Sequence, residues 1–260
     1  WKHKLLIIPK SELCFKPKAQ LTIASLFGDI EKSHPINPPH FDEPDLQTIP
    51  TLGGGVGAPD SFIWHNDMSF REVPSYAGIL TAVVIPDHGG DTIIMNTNSV
   101  YNNLDEKTKQ SLKKMKGHHD IEVGYVRLNR PDTKSTHASS YEGDAELFET
   151  DAKSDYAATH PALIKHHTTG LPHVFITDCF VESVSSDSIS QEECESAFEA
   201  VRKEYENPAH HLVIDWGVIG PGSLLVWDNL GTVHKAPADY ETFRLVHRAV
   251  TLGAHPPEAF

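Results

Sequence analysis

The sequence is short of cysteine, of positive charge and of long apolar runs, and each shortage closes off a class of protein. Its three cysteines, Cys14, Cys179 and Cys194, are an odd number, lie far apart and form no C-x-x-C. That argues against a disulfide framework or a redox dithiol and points to a reduced, cytoplasmic setting. Lys and Arg number 22 against 36 Asp and Glu, a net charge of −14. Nucleic acid and anionic membrane both need a basic face, so neither is an expected partner, although a local basic pocket for a small anion is compatible with that total. No run of about 18 apolar residues and no charged-then-apolar leader is present, so nothing is expected to span a membrane or direct export. The chain begins at Trp1 rather than Met, which leaves a preceding N-terminal segment open. Gly53-Gly54-Gly55 lacks the Lys and Ser/Thr of a phosphate-binding loop, and no nucleotide site is read there. No repeat or low-complexity linker divides the chain. With 39% hydrophobic residues it can bury a sizeable core, and residues 1–260 read as one domain.

Histidine, by contrast, is abundant. The 17 His include three His-x-Asp triplets: His40-Phe41-Asp42, His65-Asn66-Asp67 and His118-His119-Asp120. Chance alone would give about that many, so context has to choose among them. The first lies in a loop-like segment with Pro35, Pro38, Pro39 and Pro44. The third follows the basic run Lys113-Lys114-Met115-Lys116-Gly117, which reads as a helix end. Only the second, within Ser61-Phe62-Ile63-Trp64-His65-Asn66-Asp67-Met68-Ser69-Phe70, has the apolar and aromatic flanks of a buried strand. On a strand, residues i and i+2 share a face with Cα atoms roughly 6.6 Å apart. An imidazole and a carboxylate so placed can converge on one ion, and a second His from elsewhere would complete a two-His-one-carboxylate facial triad with three open positions.

Elsewhere the pattern is of short strands punctuated by turns. Leu5 to Ile8 is a strand candidate, and Pro17 suits the first turn of a helix that Gly28 would cap. Residues 29–61 read as a long irregular loop and 128–158 as a polar surface excursion or lid. Strands are expected at Ala77 to Ile85, Ile93 to Met95, Ala162 to Ile164, His173 to Thr177, Leu212 to Ile214, Leu224 to Trp227 and Arg244 to Leu252. Two helical stretches follow Met95, and Ser190 with Glu193 forms a capping box opening a helix to about Tyr205. The sum is a mainly β fold with flanking helices, a double-stranded β-helix of the jelly-roll type.

The closing strand carries the second strong signal. In Arg244-Leu245-Val246-His247-Arg248-Ala249-Val250 the two arginines share one face. Directed into a barrel and left unpaired, each would cost several kcal/mol. They would need anionic partners, such as a dicarboxylate cosubstrate and an acidic substrate. The alternative is an outer face with both arginines paired to surface acids. Upstream, Trp227-Asp228-Asn229 leads to His234 at a strand edge.

Taken together, the Trp64-His65-Asn66-Asp67 stretch, the Gly89-Gly90-Asp91-Thr92 turn, Trp227-Asp228-Asn229 with His234, and the Arg244 to Arg248 strand resemble the taurine dioxygenase family of Fe(II)/2-oxoglutarate-dependent oxygenases. The order and spacing match, and weaker similarity runs from about Leu5 to Gly253. The resemblance implies that His65, Asp67 and His234 bind iron and that Arg244 and Thr92 hold the far carboxylate of 2-oxoglutarate. It implies that Arg248 meets the substrate's acid group or lies nearer the cosubstrate. By position it adds His34, Met68 and Phe180 to the substrate pocket. It also marks two departures there: Asn37 stands where the taurine enzyme has Tyr, and Ser61 where it has Asn. Both alter contacts that fix taurine, so taurine itself is disfavoured. Retention of Asp67 disfavours halogenation, for which related enzymes replace that carboxylate.

The chemistry implied is oxidation of a C–H bond of a small acidic substrate, a carboxylate or sulfonate, consuming O2 and 2-oxoglutarate and releasing succinate and CO2. Diversion to desaturation, cyclisation or isonitrile formation depends on substrate geometry and stays open. So do the oligomeric state and, as a reading of another class, a non-catalytic acid-binding barrel. A cupin-like enzyme using iron without 2-oxoglutarate is disfavoured by the Thr92 and Arg244 pairing. His166-His167 and His210-His211 are not expected to chelate, because neighbours on a strand face opposite ways.

Overall fold

The computed structural model describes residues 2–32, 37–52, 62–124 and 156–260. In chain order its elements are β1 (Leu5–Ile8), α1 (Pro17–Ala24), β2 (Gln47–Thr51), β3 (Ala77–Val84), β4 (Thr92–Asn96), α2 (Thr97–Asn103), α3 (Glu106–Leu112), β5 (Lys116–Asp120), β6 (Ala157–Pro161), β7 (Leu163–Lys165), β8 (Pro172–Val174), β9 (Val181–Ser185), α4 (Gln191–Tyr205), β10 (His211–Ile214), α5 (Trp216–Ile219), β11 (Leu224–Asp228), β12 (Thr232–Lys235), β13 (Arg244–Val250) and β14 (Glu258–Ala259). Five strands form the main sheet in the order β1-β11-β3-β13-β2, all antiparallel. A second sheet, β10-β4-β12, faces it. Two further three-stranded sheets, β14-β7-β8 and β6-β5-β9, complete the β structure among the described residues.

The strand sequences explain this layering. In β3 and β11 alternate residues point to opposite faces. Leu80, Ala82, Leu225 and Trp227 turn inward with Ile49, Ile94, Ile214, Trp216 and Val246 to fill the space between the two sheets. Ala77, Ile79, Leu224 and Val226 turn outward onto Cys14, Ala24, Leu46 and Ala249 beside α1. Both faces being covered, these strands read as continuous apolar runs rather than as alternation. Gly78 sits opposite Trp227, and a Cβ there would fall 2.1 Å from the indole ring. The third core packs α4 against the second sheet. Its buried stripe, Cys194, Ala197, Phe198, Val201 and Tyr205, follows the spacing of one helix face. The helix opens as the capping box foretold, with Ser190 accepting from the Glu193 N–H at 3.2 Å.

Several expectations need correction. Phe62 to Phe70, the described part of the stretch expected as a strand, is not one: His65 makes a single bridge to His234, Asp67 to Phe70 form a turn, and Met68 adopts a left-handed φ of 57°. His65 and Asp67 therefore converge through a turn rather than through the two-residue period of a strand. The loop expected over 29–61 contains β2, which pairs with β13 along Gln47 to Thr51. Its Pro50 lies opposite Leu245 on the edge strand of the sheet, where a missing N–H is tolerated. The basic run does open at a helix end, α3 stopping at Leu112 with Lys113 as its cap, but His118-His119-Asp120 itself ends strand β5. Helix α1 stops at Ala24 with Ser25 as its cap, ahead of Gly28. His166 and His167 lie beyond the end of β7, and their rings stack 4.8 Å apart instead of pointing opposite ways. Most of the expected excursion over 128–158 lies outside the described residues, and Ala157 already begins β6. No helix among the described residues is long and apolar enough to cross a membrane.

Buried histidine gives this fold a predictable acid limit. Burial holds the imidazoles of His119 and His160 below the ordinary value and that of His173 at about 3. Unfolding restores the ordinary value, so below about pH 6.5 the unfolded chain binds more protons than the folded one. The stability these groups contribute is complete above pH 6.5 and falls as pH drops, by about 1.4 kcal/mol per pH unit for each His in its window. Thermal unfolding in about 0.5 M NaCl, which screens surface repulsion, is expected to show a lower Tm at pH 5 than at pH 7.5. Equal Tm values would contradict the neutral, buried state of these rings.

Candidate active site

Two segments far apart in sequence meet at one bridge. The His65 N–H donates to His234 O at 3.1 Å and the His234 N–H to His65 O at 3.0 Å, and the two imidazole centroids lie 4.2 Å apart. The side chain of Asn229 grips the turn that carries Asp67. Its Oδ1 accepts from the Asp67 N–H at 2.8 Å, while its Nδ2 donates to Asp67 O at 2.9 Å and to Ser75 O at 2.8 Å. Asn66 returns the grip, donating from Nδ2 to Asn229 O and Thr232 O at 2.8 and 2.6 Å. All five residues are buried, so each bond is made in a medium where an unmade one is costly.

The donor set fits a divalent metal. His65 Nδ1 donates to Ile63 O at 2.7 Å, which leaves Nε2 as the coordinating nitrogen. His234 Nε2 stands 3.9 Å from Asp67 Oδ2, and ligand atoms from His65, Asp67 and His234 all lie within 4.8 Å of one another. Burial, and then His65 beside it, hold His234 down at about 3, so the ring is neutral as a ligand must be. Asp67 Oδ1 is occupied otherwise, accepting from Arg248 Nη1 at 2.6 Å, so Oδ2 is the oxygen turned to the histidines. His118, Asp120 and Glu182 form another such group on the surface, where clustered acids are common without an ion.

The same cavity is lined by Thr92, Trp227, Arg244 and Arg248 together with His65 and His234. Arg244 is 4% exposed and donates from Nε to Gly90 O at 3.0 Å. Among the described residues it has no ion pair. Burial pulls its guanidinium down from the ordinary value, with Tyr240 and Asp91 acting the other way. The turn that meets it requires glycine. Gly89 and Gly90 have φ of 69° and 70°, and a Cβ on Gly89 would fall 2.5 Å from Asp239 Oδ1. Thr92 Oγ1 accepts from Trp216 Nε1 at 3.1 Å, leaving the hydroxyl proton to be donated elsewhere.

The structure thus brings His65, Asp67, His234, Thr92, Arg244 and Arg248 together. Phe180 sets its edge against the His65 ring at 6.3 Å between centroids, and Met68 packs with Phe180 and Phe70. Asn37 does not line the cavity; its Nδ2 donates to Gln47 Oε1 at 3.3 Å. His34 and Ser61 lie outside the described residues. Gln47, which also accepts from Arg248 Nε at 2.9 Å, and Trp216 were not anticipated. Neither belongs to a motif, and only the strand pairing that sets Gln47 opposite Arg248 reveals the first.

A family model described as the taurine catabolism dioxygenase TauD, TfdA family matches residues 1–250. The chain belongs to that family. It is a 2-oxoglutarate-dependent dioxygenase, with Fe(II), 2-oxoglutarate and O2 as its cofactor and cosubstrates and a small molecule as its substrate. An alkylsulfatase from Acinetobacter baylyi is 28% identical over 97% of this chain and 76% of its own length. An alpha-ketoglutarate-dependent sulfate ester dioxygenase from Pseudomonas putida is 28% identical over 75% of this chain and 60% of its own. The solved structure of AAD-2 in complex with Mn(II) and N-oxalylglycine superimposes with a TM-score of 0.72 at 19% identity, covering 98% of this chain and 86% of that one. That likeness carries the fold, the jelly-roll barrel expected from the strand pattern.

The Asn229 grip on this dioxygenase's Asp67 can be tested directly. Asn229→Ala leaves the Asp67 N–H, Asp67 O and Ser75 O without their partner, at roughly 1–3 kcal/mol each. Urea unfolding of the metal-free protein is expected to show a loss of roughly 3 kcal/mol or more. A loss under about 1 kcal/mol would mean that the turn holds itself.

Proposed function

We propose that this dioxygenase oxidises a C–H bond of a small acid bearing a carboxylate, sulfonate or sulfate ester. In this reading His65, Asp67 and His234 hold the iron, and Arg244 and Thr92 hold the far carboxylate of 2-oxoglutarate. The observation that carries it is Arg244: a buried guanidinium without an ion pair among the described residues, on the cavity that both histidines line. An unpaired buried charge is expensive, and an anion brought in by the cosubstrate relieves it. Thr92 supports the same assignment, since the bond from Trp216 leaves its hydroxyl as a donor beside Arg244.

When bound, iron and 2-oxoglutarate supply the oxidation, with O2 consumed and succinate and CO2 released. The residues of the chain aim it. Arg244 and Thr92 fix one end of the cosubstrate, His65 and His234 set the open side of the metal, and Phe180 walls the site beside His65. Two of the similar proteins have names that speak of sulfate esters or alkyl sulfates, and such substrates supply the anionic group expected here.

The reading is tested by anaerobic titration of the metal-free protein with Fe(II) and 2-oxoglutarate, watching for the weak visible charge-transfer band of the chelate. A panel of alkyl sulfates, sulfonates and carboxylates is then added. A band is expected for the wild type, with a shift for the acids that bind. Arg244→Met should raise the 2-oxoglutarate concentration for half-formation at least tenfold, and His65→Ala should abolish the band. A wild-type affinity in Arg244→Met would overturn its role. Absence of a band in folded, Fe(II)-loaded protein would overturn the reading.

A further inference from the structure

Asp67 is held from behind by a chain of three side chains. Arg248 Nη1 donates to Asp67 Oδ1 at 2.6 Å and Arg248 Nε to Gln47 Oε1 at 2.9 Å. The same Gln47 oxygen accepts from Asn37 Nδ2 at 3.3 Å. All four residues are buried, at 2% for Asp67, 5% for Arg248, 3% for Gln47 and 8% for Asn37. Gln47 and Arg248 are directly opposite each other across the β2–β13 pair, so the sheet register fixes the contact.

We infer that Gln47 is a positioning residue for the metal carboxylate. It sets the guanidinium plane of Arg248, and Arg248 in turn holds Asp67 Oδ1, so that Oδ2 alone is presented beside His234. The inference rests on the proposed metal site. It gives Arg248 a task at Asp67 through Nη1, with Nε engaged by Gln47. A guanidinium has a rigid planar fork, so an acceptor on Nε controls where Nη1 points. A glutamine carboxamide supplies that acceptor without adding a second negative charge beside Asp67. Partners that orient a metal ligand in this way typically change metal affinity by 10–100-fold when removed.

The test replaces Gln47 and reads metal binding rather than turnover. Co(II) is titrated into metal-free wild type, Gln47→Met and Gln47→Glu, following the visible bands of the bound ion. Methionine nearly preserves shape and removes the acceptor; glutamate keeps an oxygen where both donors can reach it. Gln47→Met is expected to raise the Co(II) dissociation constant at least tenfold and to change the band pattern, while Gln47→Glu stays within about threefold of wild type. Wild-type affinity and bands in Gln47→Met would overturn the inference, as would equal losses in both variants. If Gln47→Met does not fold, Gln47→Asn, which withdraws the amide by one methylene, is read in the same titration against the same criteria. Failure of the wild type itself to bind Co(II) would instead overturn the metal site on which the inference rests.

Discussion

The site depends on one contact between distant parts of the chain, the two-bond bridge of His65 with His234. A single bridge between segments more than 160 residues apart is weak by itself, because its loop-closure cost far exceeds what two hydrogen bonds return. It persists because the surrounding bonds make it one member of a cooperative set. Asn229 closes on Asp67 and Ser75, Asn66 closes on Asn229 and Thr232, and β12 is already paired with β4. Removing any one of these exposes buried donors or acceptors in the others. The backbone placement of His65, Asp67 and His234 is thus set by backbone and carboxamide bonds, while the Asp67 carboxylate itself is held by the charged Arg248.

Charge enters only where it has a partner or a task. The chain carries a net charge of −14, yet two arginines are buried in its barrel. Arg248 is compensated inside the protein by Asp67 at 2.6 Å. Among the described residues Arg244 has no ion pair; it donates to the Gly90 carbonyl and feels Tyr240 and Asp91. The two arginines therefore differ in their surroundings, one ion-paired and one not among the described residues, although both lie on one face of one strand. A similar arrangement lies one residue from the Asn229 grip. Burial alone would raise the Asp228 carboxyl, but His166 at 2.8 Å and Lys4 at 2.7 Å bring it below its ordinary value.

The parts legible in the sequence were those written in residue type and local period. The apolar runs of β3 and β11, the two arginines on one face of β13, the capping box of α4, and the pairing of His65 with Asp67 and a remote His are of this kind. What was illegible depended on long-range register. Gln47 lies in a stretch whose prolines and acids read as loop, and only its pairing with β13 makes it a strand residue opposite Arg248. The strand assigned to residues 61–70 failed for a related reason. A buried turn held by Asn229 needs the same apolar flanks as a buried strand, and composition does not distinguish them. Trp216 is a core residue that no motif singles out, and its Nε1 also determines which way the Thr92 hydroxyl serves.

These observations bear on how such a site can change its substrate without losing its metal. Asp67, His65 and His234 are anchored to β12, to the Asn229 turn and, through Arg248 and Gln47, to the β2–β13 pair. Those anchors belong to sheets whose both faces are packed. Phe180, by contrast, meets the His65 ring edge-on at 6.3 Å between centroids and belongs to a separate apolar cluster with Met68, Phe70, Ile121 and Cys179. None of those apolar side chains makes the bonds by which Asn229 and Arg248 hold Asp67, so changing their size alters the space beside His65 without removing those bonds. Variation confined to that cluster can therefore reshape the pocket at the modest cost of core repacking. A change at Gln47 or Asn229 instead disturbs the buried polar bonds that hold Asp67.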